Sequence, residues 1–285
     1  MATEVILSAV REPFRRYLNP ARTVSDLWTH RHLVRQFAMR DVMARYKGSR
    51  LGLLWSILNP LLMLAVFTFV FSVVFHARWG VLQSESKAEF ALTMFCGLIV
   101  FNLFAECANR APSLIIGHAN YVKKIVFPLE ILPAAVVASA LVFALISTGI
   151  LLAAVPIFFG TFSATLFLFP LVIVPLLLFS LGVGWFLASL GVYLRDIGHV
   201  VTVLMQILMF VTPIFYPISS VPQPFRTVIT LNPLTVLVES ARATLMWGQA
   251  PNWPWLAAVT GLALLVAQLG YAWFMKTKRG FADVL

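Results

Sequence analysis

The side chains that could carry ions or protons through a membrane are few, and they lie near the ends of apolar segments. Glu106, Glu130 and Glu239 are the carboxylates in such positions. A charge in mid-membrane is costly and is normally kept only for a function such as a proton relay. Because these three residues lie near segment ends, we interpret them as interfacial charges, which disfavours an ion-driven mechanism.

No catalytic or nucleotide-binding motif accompanies them. The sequence lacks GxxxxGK(S/T), HExxH and a CxxC pair. His76, His118 and His199 have no second ligand at metal spacing, so we predict no metal site. Cys96 and Cys107 lie in or beside an apolar segment and are interpreted as small core residues. The chain is expected to bind no cofactor of its own, and any energy source is expected on another subunit.

A cluster of cations marks the start of the first long apolar segment. Arg45, Lys47 and Arg50 precede an almost uncharged run, and Trp55 follows them. Cations are held at the anionic cytoplasmic surface of a membrane, and an indole prefers the headgroup layer. The pattern predicts a first spanning helix whose amino end lies in the cytoplasm.

Composition indicates a polytopic membrane protein. Of the 285 residues, 60% are hydrophobic and 11% are charged, and the mean hydropathy is +0.90. Soluble domains carry about twice as much charge. The formal charge of +10 does not indicate nucleic acid as a partner, because ten of the 21 Lys and Arg residues precede Leu51 and mark the cytoplasmic side. The N-terminus lacks a signal-peptide pattern, so the spans themselves are expected to direct insertion.

Six apolar stretches predict six transmembrane helices. They cover approximately residues 51–75, 90–105, 129–159, 166–192, 200–215 and 255–274. Most reach the ~20 residues that cross ~30 Å of hydrocarbon, and the fifth is the shortest. With a cytoplasmic start, only four cations fall on the outer side, namely Arg78, Lys87, Arg226 and Arg242. Both termini are therefore predicted to be cytoplasmic.

The remaining segments complete an all-α membrane fold in three parts. Residues 1–50 are predicted to form a cytoplasmic segment with an amphipathic helix. Thr23-Val-Ser-Asp26 resembles a capping box, which predicts that this helix begins at Leu27. The helix would lie on the membrane surface or dock a partner. Residues 51–275 form the six-span domain, and 276–285 form a cytoplasmic tail. Six prolines divide the outer segment 216–254, which predicts short re-entrant helices in the outer leaflet.

Several motifs resemble the membrane subunit of bacterial type-2 ATP-binding-cassette exporters of polysaccharides. They are RYKGSRLGLLWSILNPLL from Arg45, HANYVKKIVFPLEILP from His118, YLRDI from Tyr193, TPIFY from Thr212, and NPLT from Asn232 followed by Glu239 and Arg242. The resemblance implies a half-transporter that forms a homodimer and binds two copies of a separate ATPase, which holds ATP and Mg. It also implies that the substrate is a lipid-linked glycan, such as O-antigen or capsule, carried from the cytoplasmic to the outer face of the inner membrane.

The resemblance assigns expected roles to individual residues. Arg45, Lys47 and Arg50 would bind a lipid diphosphate at the cytoplasmic mouth, although membrane anchoring also explains them. The first and fifth spans would line the glycan path, because sugar CH faces stack on aromatic rings and because Asn59-Pro60 and Thr212-Pro213 interrupt these spans. The candidate rings are Phe67, Phe69, Phe71, Phe75, Phe210, Phe215 and Tyr216. Most of the 24 Phe residues are expected to be ordinary packing or lipid-facing residues.

The longest inner loop, residues 109–128, is expected to contain a short helix that docks the ATPase. Such a helix can insert an apolar face while its cations meet acidic groups of the partner. The candidate residues are Ile115, Ile116, Tyr121, Lys123 and Lys124. Membrane-surface anchoring is the alternative.

Other functions are also compatible with a six-span protein. The same architecture could export a small drug or a lipid. A membrane glycosyl- or acyltransferase would need clustered Asp, Glu or His residues at one membrane face, whereas these residues are scattered. An ion channel is disfavoured because no filter-like segment is repeated.

Overall fold

The computed structural model of the chain describes residues 17–45, 47–74, 87–124, 127–159 and 163–285. Within these ranges the protein is helical and contains no strand. The α-helices are α1 (Pro20–Thr29), α2 (Arg31–Arg45), α3 (Trp55–Phe67), α4 (Lys87–Leu114), α5 (Ala119–Lys124), α6 (Ile131–Phe159), α7 (Phe169–Tyr193), α8 (Ile197–Val211), α9 (Gln223–Leu231), α10 (Pro233–Leu245), α11 (Trp253–Thr277) and α12 (Phe281–Val284).

In the part of the chain that the structure describes, four helical segments are long and apolar enough to cross a membrane, which confirms a multi-pass membrane protein. They are Ala88–Leu114, Ile131–Phe158, Ala164–Tyr193 and Trp253–Val284. The first and fifth predicted spans are also helical, but their apolar helices are shorter, at Trp55–Val70 and Ile197–Val211. Helix α8 has 15 residues and measures about 22 Å, less than the ~30 Å of hydrocarbon. The count of six spans stays a prediction.

Helix α4 is the central element of the fold. In the most apolar 18-residue stretch of this helix, 89% of the residues are buried. In the corresponding stretches of the other three long helices, 22 to 39% of the residues are buried. It packs against α6, α7, α8 and α10. It also continues to Leu114, well beyond the end predicted at residue 105.

Two glycines bring α7 and α11 into backbone contact. A Cβ atom added to Gly182 would lie 2.5 Å from backbone atoms of Val266 and Ala267, and Gly270 faces the Gly182 backbone in the same crossing. Small residues allow such close approach in membranes, where dispersion contacts drive association. Nearby, the rings of Trp185 and Tyr271 meet edge to face with centroids 5.1 Å apart. These contacts fix α7 against α11.

The N-terminal region forms two helices, whereas the sequence predicted a single helix from Leu27. Helix α1 begins at Pro20, because Asn19 caps it by accepting a 3.0 Å hydrogen bond from the Ala21 NH and proline suits the first helical position. Asp26 accordingly lies inside α1, where it accepts a hydrogen bond from the Tyr271 hydroxyl. Helix α2 then runs along α6.

The connection between α2 and α3 is a tight turn that requires glycine. Gly48 and Gly52 have φ angles of 89° and 48°, in the left-handed region that residues with a Cβ rarely adopt. Beyond this turn, α3 continues as a π-helical segment, Thr68–Val74. Widened turns of this type are frequent at functional sites.

The segment between α8 and α11 contains α9 and α10. Helix α10 is largely buried, with Leu234, Leu237 and Leu245 in the core. Helix α9 exposes Phe225 and Val228, at 65% and 63%. Whether these helices dip into the outer leaflet stays a prediction.

Candidate functional site

A cavity of about 390 Å³, here called the central cavity, lies between α3, α4 and α6, with Met209 of α8 at its edge. Its walls are mainly apolar, and the polar or charged side chains include Arg45, Asn59, Asn102 and Glu106. A concave apolar surface with a few polar groups is the usual form of a ligand site.

Arg45 reaches this cavity from the last turn of α2. Its guanidinium forms an ion pair with Glu106 of α4 and lies over the Phe143 ring of α6, 4.0 Å from the centroid. Both ionised side chains are partly exposed, at 32% for Arg45 and 20% for Glu106. The positive charge is thus held at the cavity wall by a carboxylate and by the face of an aromatic ring.

The Arg45–Glu106 pair belongs to a larger group of side chains, here called the ion network. Arg110 of α4 donates hydrogen bonds of 2.7 and 2.5 Å to Asp41 of α2 and one of 3.2 Å to Glu106. Ser139 of α6 donates a 2.6 Å hydrogen bond to Asp41. The network therefore ties α2, α4 and α6 together with two cations and two carboxylates.

Asp41 stays ionised in this arrangement. Burial alone would raise its pKa, but the hydrogen bonds from Arg110 and Ser139 and the charges of Arg110 and Arg45 outweigh burial and lower the pKa below its usual value. Asp41 and Arg110 also line a smaller cavity of about 190 Å³ with Phe37 and His118. The network thus separates the central cavity from a space beside α5.

The other two predicted mouth cations lie elsewhere. Lys47 and Arg50 are exposed in the turn between α2 and α3, and neither lines the central cavity. Within the described residues, Arg45 alone of the three predicted cations reaches the cavity.

Part of the predicted aromatic set comes together where α3 meets the end of α8. The rings of Phe67 and Phe215 lie 5.4 Å apart, and those of Phe210 and Phe215 lie 5.8 Å apart. The Tyr216 hydroxyl donates a 2.8 Å hydrogen bond to the Phe210 carbonyl. Phe215 is buried, whereas Phe210 is 66% exposed.

The other three residues of that set are Phe69, Phe71 and Phe75. Phe69 is 59% exposed in the π-helical segment, which also contains Phe71. Phe75 lies outside the described residues. The structure therefore joins four of the predicted rings around the α3–α8 contact.

Helix α5 forms where the sequence predicts a docking helix, and aromatic rings hold it in place. Tyr121 stacks on Phe127 at 4.7 Å and on His118 at 5.8 Å, and it meets Phe37 of α2 edge to face at 5.9 Å. We call these four rings the aromatic brace. No local sequence pattern indicates this role of Phe37.

The two isoleucine candidates for docking occupy different environments. Ile115 is completely buried, so it supports the loop from within, whereas Ile116 is 38% exposed. Lys123 and Lys124 are the last two residues of α5.

Arg242 of α10, which the sequence predicts among the outer-side cations, is completely buried. It donates hydrogen bonds of 3.0, 2.7 and 2.9 Å to the carbonyls of Thr93, Pro213 and Ile214, and one of 2.6 Å to Glu239. We call this group the arginine clamp. A buried charge is tolerated only when it is fully paired in this way, and the clamp joins α10 to α4 and to the end of α8.

Each of the three carboxylates singled out in the sequence has a cation beside it. Glu106 pairs with Arg45 and Arg110, Glu239 pairs with Arg242, and Glu130 forms a 2.6 Å ion pair with Lys278. These pairings agree with structural roles for the carboxylates. The i, i+3 spacing of Glu239 and Arg242 could have indicated their ion pair, but not the carbonyl partners of Arg242.

The region from α2 to α10 matches a known family model. The ABC-2 type transporter model aligns with residues 32–246, which include the central cavity, the ion network, α5 and the arginine clamp. The chain belongs to the ABC-2 type transporter family. The match confirms the resemblance drawn from the sequence motifs.

Curated relatives of this ABC-2 type transporter chain align along most of its length. It is 28% identical over 265 residues to the O-antigen export system permease protein RfbA of Myxococcus xanthus, covering 92% of this chain and 98% of that protein. It is 26% identical over 215 residues to the polysialic acid transport protein KpsM of Escherichia coli, covering 74% and 80%. It is 22% identical over 275 residues to the capsule polysaccharide export inner-membrane protein CtrC of Neisseria meningitidis, covering 92% and 97%.

Proposed function

We propose that the chain is the permease subunit of an ATP-driven exporter that carries a lipid-linked polysaccharide from the cytoplasmic to the outer face of the inner membrane. The observation that carries the proposal is the similarity to RfbA over 98% of that protein, an O-antigen export permease by name. KpsM and CtrC, whose names refer to polysialic acid and to capsule polysaccharide, support the same substrate class.

The proposed arrangement in the membrane has six spans, with α3 and α8 as the two short ones and both termini in the cytoplasm. The exposed cations Lys47 and Arg50 support a cytoplasmic position for the α2–α3 turn. In this orientation α5 faces the cytoplasm, and α9 and α10 lie at the outer face.

A second copy of the chain would complete the transport path. Helix α8 exposes an apolar stripe at helical spacing, formed by Val200, Val203, Leu204 and Ile207, each at 50% or more. Helix α3 exposes Leu62, Met63 and Val66. In the proposed homodimer these two short helices line a path between the copies.

In that path, Arg45 would meet the anionic diphosphate of the lipid carrier. The guanidinium already binds a carboxylate, and the same forked donor geometry suits phosphate oxygens. Lys47 and Arg50 would attract the headgroup to the membrane surface, while Phe67, Phe210, Phe215 and Tyr216 lie further along the route.

The ATPase subunit, which holds ATP and Mg, would dock on α5. The aromatic brace connects α5 to α2, and α2 carries Asp41 and Arg45 of the ion network. A displacement of α5 would therefore be transmitted to the wall of the central cavity through a short series of direct contacts.

The test is deletion of this chain's gene in its own strain, followed by complementation. We expect loss of surface polysaccharide, accumulation of lipid-linked glycan in the cytoplasm, and recovery of both when the gene is restored. Unchanged surface polysaccharide would refute the proposal. Purification of the tagged chain with an ATPase that hydrolyses ATP tests the subunit arrangement separately.

A further inference from the structure

A second large cavity lies at the end of α4 that is remote from α5. Thr93 of α4 accepts a hydrogen bond from Arg242 of α10 and lies 21 residues before Leu114, the last residue of α4. About 30 Å of helix therefore separates Thr93 from the end of α4 that precedes α5. This cavity has a volume of about 330 Å³ and lies between α9, α10 and the start of α11. We call it the distal cleft.

The chemistry of the distal cleft differs from that of the central cavity. Its lining includes the hydroxyl residues Thr230 and Thr235, the amides Gln249 and Asn252, and the indoles Trp247 and Trp255. Sugars present CH faces that pack on aromatic rings and hydroxyls that both donate and accept hydrogen bonds. Two indoles with amide and hydroxyl groups in one cleft are suited to both features.

Thr235 gives an independent indication of a missing polar partner. It is 1% exposed, and its hydroxyl has no hydrogen-bond partner in the part of the chain that the structure describes. An unpaired buried hydroxyl is destabilising, and natural proteins keep few of them. Because Thr235 also lines the cleft, a ligand hydroxyl or an ordered water there could supply the partner.

The charge of the cleft selects against an anionic ligand. Among the described residues that line it, Glu239 is the one charged side chain, and it is 30% exposed. The adjacent Arg242 is completely buried and directs its NH groups to the clamp. A phosphate or an anionic lipid headgroup would therefore meet a carboxylate without an available cation.

We propose that the distal cleft binds a sugar unit of the exported glycan, through stacking on Trp255 and hydrogen bonds to the polar lining. The identity of the ligand rests on the proposed function, and in the proposed orientation the cleft is at the outer face. Glu239 belongs to both the cleft and the arginine clamp, and Arg242 holds the Pro213 and Ile214 carbonyls at the end of α8. Sugar binding here would retain the leading end of the glycan after it crosses the membrane.

The experiment uses the chain in complex with its ATPase subunit, reconstituted in phospholipid nanodiscs. Maltoside and glucoside detergents are removed because their own sugars would compete for the cleft. The probes are short oligosaccharides released by mild acid from the surface polysaccharide of the same strain. Saturation-transfer NMR detects weak binding to such a complex.

Two substitutions and one matched control decide the result. W255A should weaken binding about ten-fold, as expected when a central aromatic contact is truncated. W253A, at a tryptophan 49% exposed on the same helix turn but outside the cleft lining, should leave binding unchanged. T235V replaces the unpaired hydroxyl with a methyl group of similar size, and it should weaken binding without lowering the unfolding temperature.

Three results would overturn the inference. The first is that W255A and W253A weaken oligosaccharide binding equally. The second is that phosphatidylglycerol in the disc displaces the oligosaccharide. The third is that the wild-type complex does not bind the oligosaccharide although its strain exports polysaccharide normally. The last result leaves the proposed function intact, whereas surface polysaccharide that is independent of this chain would refute that function itself.

Discussion

At one end of α4, four charged side chains share hydrogen bonds in a partly exposed network, while at the other end one arginine is completely buried and bonded to backbone carbonyls. The network residues are 20 to 33% exposed, and Glu106 has two arginine partners. Arg242 has an exposure of 0% and binds three carbonyls and one carboxylate. The first arrangement can exchange partners with little loss, and the second cannot.

The difference follows from solvation. Partly exposed ion pairs contribute roughly 0–1 kcal/mol, because water replaces a lost partner. Removing one member of a buried pair costs roughly 3–5 kcal/mol, because the remaining polar groups stay buried and unpaired. We therefore interpret the network end as the part that responds to ligand and partner, and the clamp end as the fixed part.

The largest expected effect is that of R242A. The carbonyls of Thr93, Pro213 and Ile214 and the Glu239 carboxylate would lose their donor, so we expect a loss of roughly 3–5 kcal/mol in stability and little inserted protein. Thermal unfolding of the purified chain measures this. The control is R226A, whose side chain donates hydrogen bonds to the nearby Ser219 and Val221 carbonyls. Equal unfolding temperatures for the two variants would contradict the stabilising role of the clamp.

A steric change tests the clamp without removing its charge. A Cβ atom at Gly97 would lie 2.7 Å from an Arg242 guanidinium nitrogen, so G97A should displace the clamp and cost about 1–3 kcal/mol. G149A is the matched control, because a Cβ there meets nothing within 4 Å and alanine favours a helix. If G97A unfolds at the wild-type temperature, the clamp tolerates displacement, which would contradict the interpretation of this end of α4 as rigid.

At the network end, R45Q should affect transport more than stability. Glu106 keeps its hydrogen bond from Arg110, so we expect normal insertion and ATPase binding, but export and substrate-stimulated ATP hydrolysis reduced several-fold. The double variant K47Q/R50Q is the comparison, since both residues are exposed outside the cavity lining. It should slow export less. Normal export in R45Q would exclude Arg45 from substrate handling, and loss of insertion would leave it an anchoring role.

The smallest expected effect is a pH dependence that comes from Asp41. Its pKa is lower in the folded protein than the usual 3.8, so its stabilising contribution is complete above that value and is lost as the pH falls through the lowered pKa. The unfolding temperature of the wild type should decline on acidification below about pH 4 more steeply than that of D41N. D196N, at an exposed turn, serves as the control. Parallel curves for wild type and D41N would contradict the proposed contribution.

The sequence predicted the helical class and the apolar segments, because these depend on local composition. The role of Arg45 in substrate entry stays a prediction. The sequence did not predict that α4 continues to Leu114, because Arg110 is accommodated inside the protein by Asp41 of α2. It also did not predict that Arg242 is completely buried, because its carbonyl partners at Thr93, Pro213 and Ile214 are distant in the sequence.

The ion network illustrates the same limit for the candidate site. Glu106 was noted in the sequence as a carboxylate at a span end, but its partner Arg45 is 61 residues away. Asp41 meets Arg110 across 69 residues and Ser139 across 98. No local pattern contains such pairs, and only the packing of α2 against α4 and α6 brings them together.

The glycine crossing of α7 and α11 has a consequence for the genetics of the protein. Gly270 packs against the Gly182 backbone, and Gly182 packs against the backbone of Val266 and Ala267, so a side chain gained at either glycine meets backbone atoms that no smaller side chain can remove. A suppressor of G182A is therefore not expected at residue 270. Suppressors should instead arise in residues that let α11 shift along α7, and related chains that keep this crossing should carry glycine at both positions.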